Sequence, residues 1–141
     1  MNRIIPYGIL LLTLFGCALP TKHWPDENKE YVWSAMVAAA KAPDYSSHDP
    51  RKRWIVIEND VDVNNQLARI VVRRKLSRSL KLPRQNEQTD RREWFFVIKL
   101  LPEAEPTVTF DVTGYQIVPV RTLDEAERYF SQVDNLLHPI E

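Results

Sequence analysis

The chain has 141 residues, and its 19 Lys and Arg are balanced by 19 Asp and Glu, so bulk charge directs it to neither nucleic acid nor an acidic polymer. One cysteine, Cys17, excludes an internal disulfide, and three glycines, Gly8, Gly16 and Gly114, are too few and too scattered for a phosphate-cradling loop. This length suits one domain that buries roughly two thirds of its unfolded surface, and its stability must rest on packing.

The chain opens with the parts of a secretory signal: a positive start at Arg3, an apolar run from Ile4 to Phe15, and the small residue Gly16. The run is too short to cross a bilayer core, which needs about 20 apolar helical residues. Pro20, Thr21 and Lys22 end it, and Pro6 and Gly8 weaken its start. At its end, Leu14-Phe15-Gly16-Cys17 resembles the lipobox of bacterial lipoproteins. The resemblance covers the signal segment only. It implies removal of residues 1–16, a diacylglyceryl group on the Cys17 thiol and an acyl chain, such as palmitate, on the freed amine. Ala18 stands where Asp retains enterobacterial lipoproteins on the inner membrane, which implies the outer membrane. Cleavage after Ala18, or an uncleaved anchor, are the alternatives. Two or more acyl chains, at about 0.8 kcal/mol per buried methylene, hold a protein permanently. The expected location is the periplasmic or extracytoplasmic face of a bacterial membrane.

Residues 17–26 then form a lipidated tether. The stretch from Ala18 to Asp26 reaches at most about 30 Å, and it holds His23 and Trp24, the latter expected to pack on the domain edge. The remainder, 27–141, reads as a single domain. From Asp26 to Ala42, Trp33, Met36, Val37 and Ala40 recur at helical spacing behind Asp26, Glu27 and Glu30, and Pro43 stops the helix. Asp44 to Lys52 is a loop. Arg53 to Val63 and Ala68 to Leu76 alternate as strands of a hairpin turning at Asn64 and Asn65, with Ile55, Ile57, Asn59, Val61 and Val63 on one face. This register pairs Ile57 with Val72 and Val61 with Ala68, and it sets Glu58, Asp60 and Asp62 on the face of Arg69, Arg73 and Lys75. Parity turns Arg74 inward beside Val72 and Leu76, which requires an open sheet edge or a buried carboxylate.

Ser77 to Arg92 lacks apolar periodicity and reads as a mobile loop of about fifteen residues. Glu93 to Leu101 is apolar on nearly both faces, as in a central strand covered by a helix or a partner. Val108, Phe110 and Val112 mark the next strand; a turn at Thr113-Gly114 leads to a last one from Tyr115 to Val118, and Pro119 leaves the sheet. A final helix starts with a capping box, Thr122 and Glu125, and carries the stripe Leu123, Ala126, Phe130, Val133 and Leu137. The fold class is α+β, an antiparallel sheet of about five strands with an N-terminal and a C-terminal helix packed on one face.

Chemistry is sparse. The lipid would consume the only thiol; no serine sits in a glycine-flanked elbow; His23, His48 and His138 are scattered, which argues against a metal site. Asp60-Val61-Asp62-Val63-Asn64 lacks the glycine and glutamate of a calcium loop. No catalytic residue, metal ligand or cofactor is implied. Charge distribution is more informative: from Arg69 to Arg92 nine basic residues face two acidic ones, whereas from Glu103 to Glu141 two basic face eight acidic. Arg73, Lys75, Arg78, Lys81, Arg84, Arg91 and Arg92 are therefore the candidate contacts for an anionic envelope polymer, lipid headgroup or acidic protein, against a solvated hairpin face paired with Glu58, Asp60 and Asp62. The sequence points to a membrane-anchored, non-catalytic binding or scaffolding module of the cell envelope. A small envelope hydrolase, or a structural subunit covered by another chain along Trp94 to Leu101, are the alternatives.

Overall fold

A computed structural model describes residues 19–113 and 121–140. The elements are β1 (Thr21–His23), α1 (Lys29–Lys41), a 3-10 turn (Pro50–Lys52), β2 (Ile55–Asn64), β3 (Arg69–Leu80), β4 (Gln88–Leu100), β5 (Thr107–Val112) and α2 (Thr122–Leu137). All pairings are antiparallel, in the order β1-β5-β4-β3-β2, and both helices lie on one face. The α+β class, with five strands and a helix at each end, is as the alternation patterns require. The signal segment with Cys17, the turn at Gly114 and the strand expected from Tyr115 to Val118 lie outside the described residues.

Among the described residues, the fifth strand comes from the expected tether. Thr21, Lys22 and His23 pair with Thr109, Val108 and Thr107, and the Phe110 N–H donates to the Pro20 carbonyl (2.9 Å). Trp24 follows as a buried side chain, edge-on to Phe130 at 6.1 Å, with its indole N–H donated to Asp134. A three-residue edge strand has too little alternation to register as a pattern, and an edge needs only a few ladder bonds. Between Cys17 and the folded edge there remain only residues 18–20, a reach of about 10 Å.

The β2–β3 hairpin keeps its faces and changes its register. Val61 pairs with Val72 and Asn59 with Arg74, four residues from the expected pairing, because the turn spans residues 65–68 with Ala68 at φ 47°. The Asn64 side chain accepts the Leu67 N–H (3.0 Å) and closes that turn. An even shift preserves parity, so Asp60 still opposes an arginine, Arg73 in place of Arg69, and Glu58 contacts Lys75 at 2.8 Å. A bulge between Val56 and Glu58 then reverses parity at the start of β2: Val56 packs on the core, and Ile55 and Ile57 are exposed rather than inward.

Ser77 to Arg92 is not a loop. β3 and β4 stay paired to Leu80 opposite Gln88, and only residues 81–87 turn. Polar residues on both faces hide the period of two that apolar strands display, while Arg78 with Asp90 (2.8 Å) and Ser79 with Glu87 supply cross-strand bonds. β4 is the central strand, as its apolar run requires, and Arg73 lies over Phe95 on the face away from the helices (5.1 Å).

Asn28 caps α1 by accepting the Glu30 N–H (2.8 Å). Its buried stripe is Val32, Ala35, Met36, Ala39 and Ala40, rotated from the expected one, and Trp33 sits at the border, bonded to Asn65. Three alanines let α1 approach the neighbouring layers closely. α2 buries Ala126, Tyr129, Phe130 and Val133, but Leu123 stays exposed. The Tyr129 hydroxyl donates to the Met36 carbonyl (2.9 Å) and joins the helices over stacked Phe96 and Phe110 (4.6 Å). The capping box does not form: Thr122 is already helical, Arg121 holds the cap position without a side-chain bond, and Glu125 is engaged elsewhere.

Candidate functional site

Strand parity sends Arg74 from the middle of β3 into the helix-covered face, and no solvent reaches it. Each nitrogen of its guanidinium has a partner in the chain: Nε donates to Asn59 Oδ1 (2.8 Å), Nη2 to the Ala40 carbonyl (2.9 Å) and Nη1 to the Tyr45 hydroxyl (3.0 Å). Glu125 Oε1, 3.6 Å from Nη1, is the balancing carboxylate. The same oxygen accepts the Tyr45 hydroxyl (2.6 Å) and Arg128 Nη2 (2.9 Å). Of the two conditions under which Arg74 could face inward, the buried carboxylate is the one met, and Glu125 supplies it. Burial, then the charge of Glu125, pushes the Tyr45 hydroxyl well above its ordinary range, so it remains a neutral bridge between arginine and carboxylate.

Beside this network opens a cleft of about 750 Å³, walled by the loop from Asp44 to Trp54, the start of α2 and the ends of β3 and β4 that extend beyond β5. Arg51, Lys52, Arg78, Arg92, Arg121 and Arg128 line it against Asp44, Asp49, Asp124 and Glu125. Trp54 is its organiser: the guanidiniums of Arg78 and Arg92 both lie 4.5 Å from its ring centroid. Arg78 also grips Asp90 through two nitrogens and donates to the Arg51 carbonyl, fixing the loop wall to β3.

The carboxylates of the cleft are largely committed. Asp49 pairs with Arg51 (3.1 Å) and Glu125 with Arg128, while Asp44 accepts from Ser46, whose side-chain bond holds the Asp44 carboxyl below its ordinary range. Arg92 and Arg121 differ. Among the described residues neither has a carboxylate within ion-pair distance. Burial, followed by the like charges of Arg121 and Arg78, draws the Arg92 pKa down. Two adjoining guanidiniums without carboxylate partners suit a multivalent anion.

The sequence candidates divide among three places. Arg78 and Arg92 enter the cleft; Arg73, Lys75 and Arg91 alternate onto the opposite face of the sheet; Lys81 and Arg84 occupy the β3–β4 turn. The basic segment is therefore not one patch. Tyr45, Trp54, Arg121 and Arg128 of the cleft come from outside it and carry no motif. Among the described residues no group of three or more His, Cys, Asp or Glu converges to hold a metal, and no helix is long and apolar enough to cross a membrane. The chain matches no protein-family model, no curated protein and no solved structure.

Proposed function

We propose that the chain is an extracytoplasmic lipoprotein, held on a bacterial membrane by acylated Cys17, whose domain is a non-catalytic module binding an anionic partner of the envelope. The observation that supports the binding part is the pair Arg92 and Arg121, which among the described residues have no carboxylate within ion-pair distance, in a cleft lined by six cationic and four acidic side chains. The anchor part rests on Leu14-Phe15-Gly16-Cys17 closing a signal peptide. A binding role is favoured over hydrolysis because, of the four cleft carboxylates, Asp49 and Glu125 are each tied to an arginine and Asp44 to Ser46, which leaves Asp124 without a second free carboxylate to work with. Globomycin should block processing, and labelled palmitate should enter the wild type but not Cys17→Ser. The full chain in mixed vesicles should protect its cleft only when anionic lipid or polymer is present, and added salt should reverse this. Absence of label refutes the anchor; salt-independent behaviour refutes the anionic partner.

A further inference from the structure

β2 is an edge of the sheet: β3 pairs with one of its sides, and no described strand pairs with the other. It is far longer than β1 at the opposite edge, ten residues against three, and none of the ten is buried. Alternate residues of such a strand turn their N–H and C=O groups away from the sheet, where a further strand would meet them. The bulge between Val56 and Glu58 interrupts the ladder, so the regular edge is residues 58–64. Both faces of that edge carry a distinct chemistry. On the outer face Glu58, Asp60 and Asp62 follow at every second position. Lys75 holds Glu58, but among the described residues neither Asp60 nor Asp62 has a cation within ion-pair distance. Arg73, opposite Asp60, lies over Phe95 instead. On the helix side Val61 and Val63 are half-buried, and α1 runs alongside them: Trp33 donates to Asn65, and the Asn59 side chain donates to the Ala40 and Lys41 carbonyls. Those bonds set the half-buried Trp33 and Val37 along the same flank, an apolar shelf beside Val61 and Val63.

We infer that this edge docks an extended segment of another protein whose side chains alternate between cationic and apolar, its cations facing Asp60 and Asp62 and its apolar side chains resting on Trp33 and Val37. Pairing of main-chain groups supplies the binding, and the two faces decide which sequences bind. β3 already shows the pattern on the other side of β2, with Arg73 and Lys75 on the outer face and Val72 inward. A second copy of the chain is the wrong occupant, because its β2 laid antiparallel on this edge would set carboxylates against carboxylates. Acidic side chains on an edge also hold back unwanted strands, and docking differs from that in preferring one alternation. The inference needs neither the anchor nor the cleft.

Full-chain protein in zwitterionic detergent would be titrated with a labelled peptide of about nine residues alternating lysine and valine, long enough to span residues 58–64. Two further peptides serve as comparisons, one of the same composition with its lysines grouped together and one alternating glutamate and valine. Fluorescence anisotropy reads binding, and hydrogen exchange reads the β2 amides. Saturable binding of the alternating lysine peptide is expected, with protection of every second β2 amide, and the grouped peptide should bind about tenfold more weakly. Asp60→Lys with Asp62→Lys should weaken the lysine peptide by about tenfold and admit the glutamate peptide, a gain that a misfolded variant cannot produce. Glu103→Lys, an exposed change in the turn between β4 and β5, should leave binding unchanged. Equal binding of the grouped peptide would overturn the inference, as would no binding of the alternating one or an equal loss in Glu103→Lys. Protection of the β2 amides before any peptide is added would also overturn it, assigning the edge to the chain itself in a monomer or to a second copy in a dimer.

Discussion

Arg74 is a charge where a core would ordinarily place an aliphatic side chain. It is tolerated because each guanidinium nitrogen has a protein partner and Glu125 balances the charge. Removing the balance while leaving the charge should be costly: Glu125→Ala is expected to lose about 3 to 5 kcal/mol in urea denaturation. Arg74→Met with Glu125→Gln, which removes both charges together, should cost less than the sum of the single changes. The inward direction of Arg74 was legible from strand parity alone. Its partner was not, because Glu125 is distant in sequence and sits where a capping box would use it.

Two buried tyrosines give the fold an alkaline limit. Burial raises the hydroxyl pKa of Tyr129, and burial with Glu125 raises that of Tyr45, both from an ordinary value of 10.0. Below that value both folded and unfolded chains keep these protons and the stability is fully present. Above it the unfolded chain releases them while the folded chain does not, so stability falls as pH rises, by about 1.4 kcal/mol per unit for each tyrosine. Denaturation midpoints followed upward from about pH 10 should show this slope. Tyr45→Phe should remove roughly half of it.

At the scale of elements, the least legible part is the one that lines the cleft. Leu76 to Leu80 and Gln88 to Arg92 form an extended ribbon whose polar residues disguise it as a loop, and this ribbon carries Arg78 and Arg92 into the cleft. The apolar strands and the stripe of α2 were legible because apolar burial imposes a period, and a ribbon that is polar on both faces from Ser77 onward shows none. Arg78 is the fastening between ribbon and loop wall. Arg78→Ala should leave the core intact but raise amide hydrogen exchange at Lys52 and Arg53, whose N–H groups bond Asp49 and Pro50, by about tenfold, as a local opening of low free energy. Unchanged exchange there would show that the 3-10 turn at Pro50–Lys52 stands without it.

For the whole molecule, the class of fold followed from the order of periods, but the fifth strand came from a segment read as tether. That error matters because it shortens the distance between the domain and Cys17 and gives the chain a fixed direction of entry. Trp24 secures this entry by joining β1 to α2 through Phe130 and Asp134. Trp24→Ala is expected to cost about 3 to 5 kcal/mol, as large aromatic truncations in a core do. It should also expose residues 19–24 to limited proteolysis before the remainder unfolds.

The three residues of β1 acquire a mechanical meaning in a chain held by Cys17. Tension between membrane and domain would act along β1, whose bonds to β5 lie across the strand direction. Such a pull loads those bonds together in shear rather than peeling them one at a time, and Trp24 behind the strand acts as a stop. A short strand so oriented resists detachment better than its length suggests.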